Sequence, residues 1–134
     1  MLNGSINLYK IIKPIMFTCQ NKGDHLFAEV SGFYSRDLLI SATHKVADHC
    51  RTENLNKAIV DLRNMTGNPS ILDRYKIGVE IANVWGPRIK VAVVAKAEAI
   101  NKMGENTAVN RGANIMVTAD FAHALEWLGI KNSP

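Results

Sequence analysis

Two short runs of nearly unbroken apolar residues, Ala58–Leu62 (AIVDL) and Lys90–Ala95 (KVAVVA), constrain the fold more than any other feature of the chain. Both are rich in β-branched residues and both read as strands buried on two faces, the pattern of a parallel sheet. Between them a segment opens at Ser70, is stopped by Gly86 and Pro87, and repeats Ile71, Leu72, Tyr75, Val79, Ala82 and Trp85 at helical spacing. Strand, helix and strand in this order make a right-handed crossover unit, so the two strands lie parallel in one sheet.

The rest of the chain adds to both sides of that unit. From Ile6 to Val30 the apolar residues alternate in an extended pattern (Ile6, Leu8, Ile11, Ile12, Met16, Phe17, Leu26, Ala28, Val30), broken at Pro14 and turned at Asn21–Asp24. This predicts two or three antiparallel strands, closed at Gly32. Ser35 caps a helix reaching about Arg51, with Leu39, Ala42, Val46 and Cys50 inward and Arg36, His44, Lys45, Asp48 and His49 outward. A weaker helix follows over residues 97–111, interrupted at Gly104, with Ile100, Met103, Ala108 and Val109 inward. Ile115–Thr118 reads as a short strand, and Thr118 or Asp120 caps a last helix that turns Phe121, Ala124, Leu125 and Leu128 to the core and ends at Gly129. A length of 134 residues suits one domain spanning residues 1–134, its core from about residue 5 to about 129. The expected fold class is α/β: a mixed sheet of five to six strands, antiparallel at the start and parallel at the centre, covered by about four helices.

Several function classes drop out on chemistry. The net charge of +4 is spread among acids with no basic arm, and the aromatics are not interleaved with basic residues, so nucleic acid is set aside as a partner. The longest apolar run, Val91–Ala95, is too short for membrane insertion, and the first ten residues carry no basic leader before an apolar run, which predicts a cytoplasmic protein. Cys19 and Cys50 belong to separate elements and read as free buried thiols. The four histidines, His25, His44, His49 and His123, form no metal set, and neither a catalytic triad nor a cofactor-binding glycine loop is present. His123 and Glu126 are spaced as a surface pair.

Four stretches together resemble a known family: AIVDLRNMTG (Ala58–Gly67), LDRYKIGVEIA (Leu72–Ala82), KVAVVA followed by ENTAVNRGANIMV (Glu105–Val117), and ADFAHALEWLG (Ala119–Gly129). The chain is similar to the STAS-like family of small bacterial proteins related to the sporulation anti-sigma-factor antagonist, also described as STAS/SEC14 domains. The resemblance runs from about Ile6 to Gly129 and implies a mixed sheet covered by helices. It brings no activity. It implies binding of a partner protein or, in the SEC14-related branch, of an apolar ligand, and it is compatible with a homodimer. In the antagonists a serine of a DSSGL motif at the helix start is phosphorylated. Here Val60, Asp61 and Leu62 match the strand before it, but the loop reads RNMTGNPSILD, with Ser70 on the first serine and Ile71 on the second.

The candidate interaction or regulatory loop therefore comprises Asp61, Arg63, Asn64, Met65, Thr66, Ser70, Asp73, Arg74 and Lys76. Asp61 orients a ligand or the loop, or caps turn amides around Asn64. Thr66 and Ser70 are the candidate phosphorylation sites, with Ser70 also a helix cap. Arg74 and Lys76 offer charge to an anion or an acidic partner. Met65, Tyr75 and Trp85 are the candidate lining of an apolar-ligand pocket, and Asn110, Arg111 and Gly112 read as a structural helix end. The leading expectation is a non-catalytic module that binds a protein partner. An apolar-ligand or lipid binder comes second and an enzyme third.

Overall fold

In the computed structural model, which describes residues 16–131, the elements run β1 (Met16–Asn21), β2 (Leu26–Phe33), α1 (Arg36–Thr52), β3 (Lys57–Asp61), β4 (Met65–Thr66), α2 (Ile71–Val84), β5 (Lys90–Val94), a single 3-10 turn (Ala97–Ala99), α3 (Lys102–Asn110), β6 (Asn114–Thr118) and α4 (Phe121–Leu128). The strand order is β1-β2-β3-β5-β6, with β4 added beside β2. β1 and β2 are antiparallel and every other pairing is parallel, as the sequence predicts. The expectation for Ile6–Ile12 and Pro14 lies outside the described residues.

Because the strands from β2 onward follow one another across the sheet in sequence order, crossovers of one hand place their helices on one face. α1, α2 and α3 lie there, over Leu26, Ala28, Val30, Ala58, Val60, Val91 and Ile115. α4 follows the last strand and covers the opposite face, packing Ala124 and Leu128 on Ile59, Ala92 and Val94. Strand residues alternate between the two layers, so β3 and β5 are buried on both sides. Each fully buried side chain of the size of Leu26, Ile59 or Leu128 contributes about 1.5–3 kcal/mol.

Four local expectations change. Gly32 does not close the early strands: β2 runs through it to Phe33, bending at its positive φ of 104°. The loop after β3 holds a short strand, β4, whose Met65 and Thr66 pair with Gly32 and Phe33. The buried stripe of α2 is Ile77, Gly78, Ile81 and Ala82, with Trp85 just beyond, whereas Ile71, Leu72 and Tyr75 are exposed. The helix meets the core only from Ile77 onward, so the apolar side chains of its first turns stay in solvent.

The stretch 97–111 divides at Ile100–Asn101, where Asn101 caps α3, and not at Gly104. Of its expected inward residues only Ala108 is fully buried, while Met103 and Val109 face solvent. Gly104 serves the approach of α3 to α2. A Cβ on Gly78 would stand 2.6 Å from the Gly104 carbonyl oxygen and 2.8 Å from Thr107 Cβ.

Candidate functional site

The expected loop stands where the sheet's strand ends part. Leaving β3, the chain turns at Leu62–Met65 toward β2, and Tyr34 N–H donates to the Thr66 carbonyl at 2.8 Å. Leaving β5, the chain turns the other way, through Ala97–Ala99 into α3. The gap between these exits is the crevice that parallel sheets offer at their carboxyl ends. Here it arises from the β4 detour, since the strand order does not reverse.

The sheet divides the candidate residues between its two sides. Asp61 follows Ile59 by two positions in β3 and so faces the α4 layer. The residue is 5% exposed. Asp61 accepts from the Arg63 backbone N–H at 3.0 Å and from the Arg63 guanidinium at 3.0 and 2.9 Å. Arg63 lies over the Phe121 ring, 5.3 Å from its centroid. Burial works to raise the Asp61 carboxyl, but the hydrogen bonds and charge of Arg63 outweigh it and hold the group below the usual carboxylate range. The turn amide that Asp61 caps is thus that of Arg63. Asn64 bonds instead to Glu29 across the sheet at 2.8 Å.

On the other side, Ser70 Oγ accepts the Asp73 N–H at 3.1 Å and opens α2. The Asp73 carboxylate accepts from Tyr34 Oη at 2.8 Å and faces Arg36 at 3.6 Å, which fastens α2 to the start of α1. Burial and this carboxylate push the Tyr34 hydroxyl well above its ordinary pKa. Arg74 is not an open anion receptor. Its guanidinium donates to the carbonyls of Pro69 and Ala99, both at 3.2 Å, and spans the crevice. Thr66, Ser70 and Lys76 are exposed.

Tyr75 is not a pocket residue. It lies on the outer face of α2, where Arg111 donates to its hydroxyl at 2.9 Å and covers its ring. Arg111 ends α3 after Asn110, and Gly112 takes a φ of 100° beyond it, so these three residues form a helix end braced on Tyr75.

Between the sheet and α1, α2 and α3 lies a cavity of about 260 Å³. Leu39, Val46, Val60, Ile77, Ile81 and Trp85 form much of its wall, Met65 reaches it from β4, and residues 66–69 and 95–101 surround its mouth. Two features hold it open. Trp85 Nε1 donates to the Thr43 carbonyl at 2.9 Å, so the indole is pinned to α1. Small residues (Ala42, Ala95, Ala99, Gly104) stand where larger ones would fill it. Of the pocket residues expected from sequence, Met65 and Trp85 therefore line a cavity and Tyr75 does not.

The sequence reading missed Glu29, Tyr34 and Lys96, and it placed Glu105 with the end of α3, whereas its carboxylate lies at the cavity and accepts from the Val117 N–H. Glu29 and Tyr34 precede α1 and reach the site only through the pairing of β2 with β3 and β4, which no local pattern announces. Lys96 directly follows the apolar run Lys90–Ala95, and its place at a strand's end was the available signal. His123 stands 3.5 Å from Thr118 Oγ1, in place of the expected pairing with Glu126. Burial raises both thiols, that of Cys50 to about 11, so neither is an activated nucleophile. Among the described residues no three His, Cys, Asp or Glu side chains gather to hold a metal ion, and no helix is long and apolar enough to cross a membrane.

No protein-family model matches the chain, and no curated protein matches its sequence. Among solved structures it is similar to an anti-sigma factor antagonist from Mycobacterium paratuberculosis, at 16% identity and a TM-score of 0.61, over 87% of this chain and 95% of that one. It is also similar to an uncharacterised protein of the DUF3478 family with a SpoIIAA-like fold from Shewanella loihica, at 17% identity and a TM-score of 0.48, over 85% of this chain and 93% of that one. The first likeness shows the fold, which is STAS-like.

Proposed function

We propose that this STAS-like chain is a non-catalytic regulatory module that binds a partner protein through the loop at residues 63–70 and the first turns of α1 and α2. The observation that carries the reading is the set of large apolar side chains left bare there. Ile71 is 54% and Leu72 59% exposed, on a helix start whose polar groups Ser70, Asp73 and Tyr34 are already bonded to one another. Leu38, in the first turn of α1, is exposed as well. Exposed apolar side chains held on a rigid polar frame are what a protein interface uses. The antagonist of the same fold supports a partner of the regulatory kind.

The test is quantitative affinity capture from the native host with wild type, Leu72→Glu and Lys22→Glu as baits. Lys22 lies at the opposite end of the sheet, in the β1–β2 turn. Leu72→Glu is expected to lose a protein that the other two baits enrich. Identical captures with all three baits would remove the reading. Charge reversal of Arg74 is a poor probe, because its bonds to Pro69 and Ala99 hold the loop itself.

A second reading, a binder of a small apolar ligand, is favoured by the cavity beneath Trp85. It uses the inside of the same three-helix layer and leaves the outer surface free.

A further inference from the structure

We infer that the cavity takes a single-chain anionic amphiphile, with an apolar body inside and a carboxylate at the mouth. The inference rests on the second reading above and adds the chemical class of the ligand.

Size sets the body. An apolar cavity of about 150 Å³ accepts a benzene ring, so 260 Å³ accommodates a body of about ten non-hydrogen atoms. The wall fits such a body, with Leu39, Val46, Ile77, Ile81 and Val117 presenting hydrocarbon and Trp85 an indole whose N–H is already bonded to Thr43. Within the wall, the Thr43 hydroxyl already donates to the Leu39 carbonyl at 2.9 Å and needs no partner from a ligand. A polar ligand group belongs at the mouth.

Charge sets the head. The ionisable residues that line the cavity are Arg74, Lys96, Glu98 and Glu105. Glu105 is already occupied: one oxygen accepts from Lys102 Nζ at 2.7 Å and the other from the Val117 N–H at 3.2 Å. Lys102 offsets the charge of Glu105, which leaves Arg74, Lys96 and Glu98, two cations against one anion; the Arg74 donors already go to Pro69 and Ala99, so Arg74 adds charge and Lys96 is the cation open to a ligand. α2 and α3 both begin beside the mouth, at the Ser70 and Asn101 caps, and their positive dipole ends add to the excess. The Arg74 guanidinium bridges Pro69 and Ala99 across the opening, which places a fixed cation where the head of a bound chain would emerge. A carboxylate gains there, an ammonium is repelled, and a neutral alcohol gains only the hydrophobic part.

The test uses decanoate, decanol and decylamine as probes, read by the fluorescence of Trp85. Trp127, the second of two tryptophans, packs in the α4 layer across the sheet, so Trp127→Phe leaves Trp85 as the reporter. Saturable binding of decanoate is expected, with decanol about tenfold weaker and decylamine weaker still. Lys96→Glu is expected to bring decanoate down to the level of decanol while leaving decanol unchanged. Val117→Phe fills the cavity from β6 and is expected to abolish both, and a retained melting transition shows that this variant is folded. Equal affinity for all three probes, a decanoate signal that survives Val117→Phe in folded protein, or no saturable signal with any probe would overturn the inference. Equal affinity leaves the apolar-ligand reading intact, whereas absence of any binding removes both.

Discussion

Gly78→Ala sets two effects of opposite sign against each other. In an ordinary helix interior the change stabilises by about 1 kcal/mol, because alanine loses less backbone freedom on folding. In α2 the new Cβ would stand 2.6 Å from the Gly104 carbonyl oxygen and 2.8 Å from Thr107 Cβ. One of these contacts is backbone, so no rotamer change relieves it, and α2 and α3 must part by the better part of an ångström. That separation loosens the packing around Ala108 and strains the Arg74 bond to Ala99. Overpacking of this kind costs about 1–3 kcal/mol. A backbone clash at 2.6 Å puts the cost in the upper half of that range, so subtracting the helix gain of about 1 kcal/mol leaves Gly78→Ala net destabilised by about 1–2 kcal/mol, a fall in Tm of roughly 3–8 °C for a chain of this size. Gly104→Ala is the internal comparison, since its Cβ would meet the Arg74 carbonyl oxygen at a less severe 3.3 Å and the helix gain offsets most of the cost. Thermal and urea unfolding followed by circular dichroism measure both. A Gly78→Ala protein as stable as wild type, or less perturbed than Gly104→Ala, would refute the close-packing argument.

Two further perturbations address the two sides of the sheet. The Asp61 carboxyl is held below its ordinary value, so its stabilisation is complete above about pH 4 and is lost as the pH falls through its folded-state pKa. Asp61→Asn is therefore expected to cost about 1–3 kcal/mol near neutrality, with the gap to wild type closing in acid; urea titrations across pH check this, and a gap that widens on acidification contradicts it. Trp85→Phe removes the 2.9 Å bond to Thr43 and part of the cavity wall, at an expected cost of about 1–3 kcal/mol in urea unfolding. A change below about 0.5 kcal/mol would show that the indole does not brace α1.

Much of the architecture was legible from local pattern. AIVDL and KVAVVA declare two-sided burial, Ser35, Ser70 and Asp120 each cap the helix they precede, and Gly129 takes the left-handed position just past α4. The candidate loop was legible in position but not in arrangement. Asp61 and Arg63 face the α4 layer while Met65 and Arg74 border the cavity, a division that depends on which way each residue of β3 points once the sheet has formed.

The phase of α2 shows the limit most clearly. Ile71, Leu72 and Tyr75 satisfy a helical stripe as well as Ile77, Ile81 and Trp85 do, and only the position of the helix against the sheet decides which set is buried. The sequence by itself determined the elements, because propensity, capping and periodicity act over a few residues. The cavity, the Arg74 span across its mouth and the bare apolar turn of α2 were decided by tertiary structure alone. Each depends on distances between segments that loop closure brings together and that no run of neighbouring residues encodes.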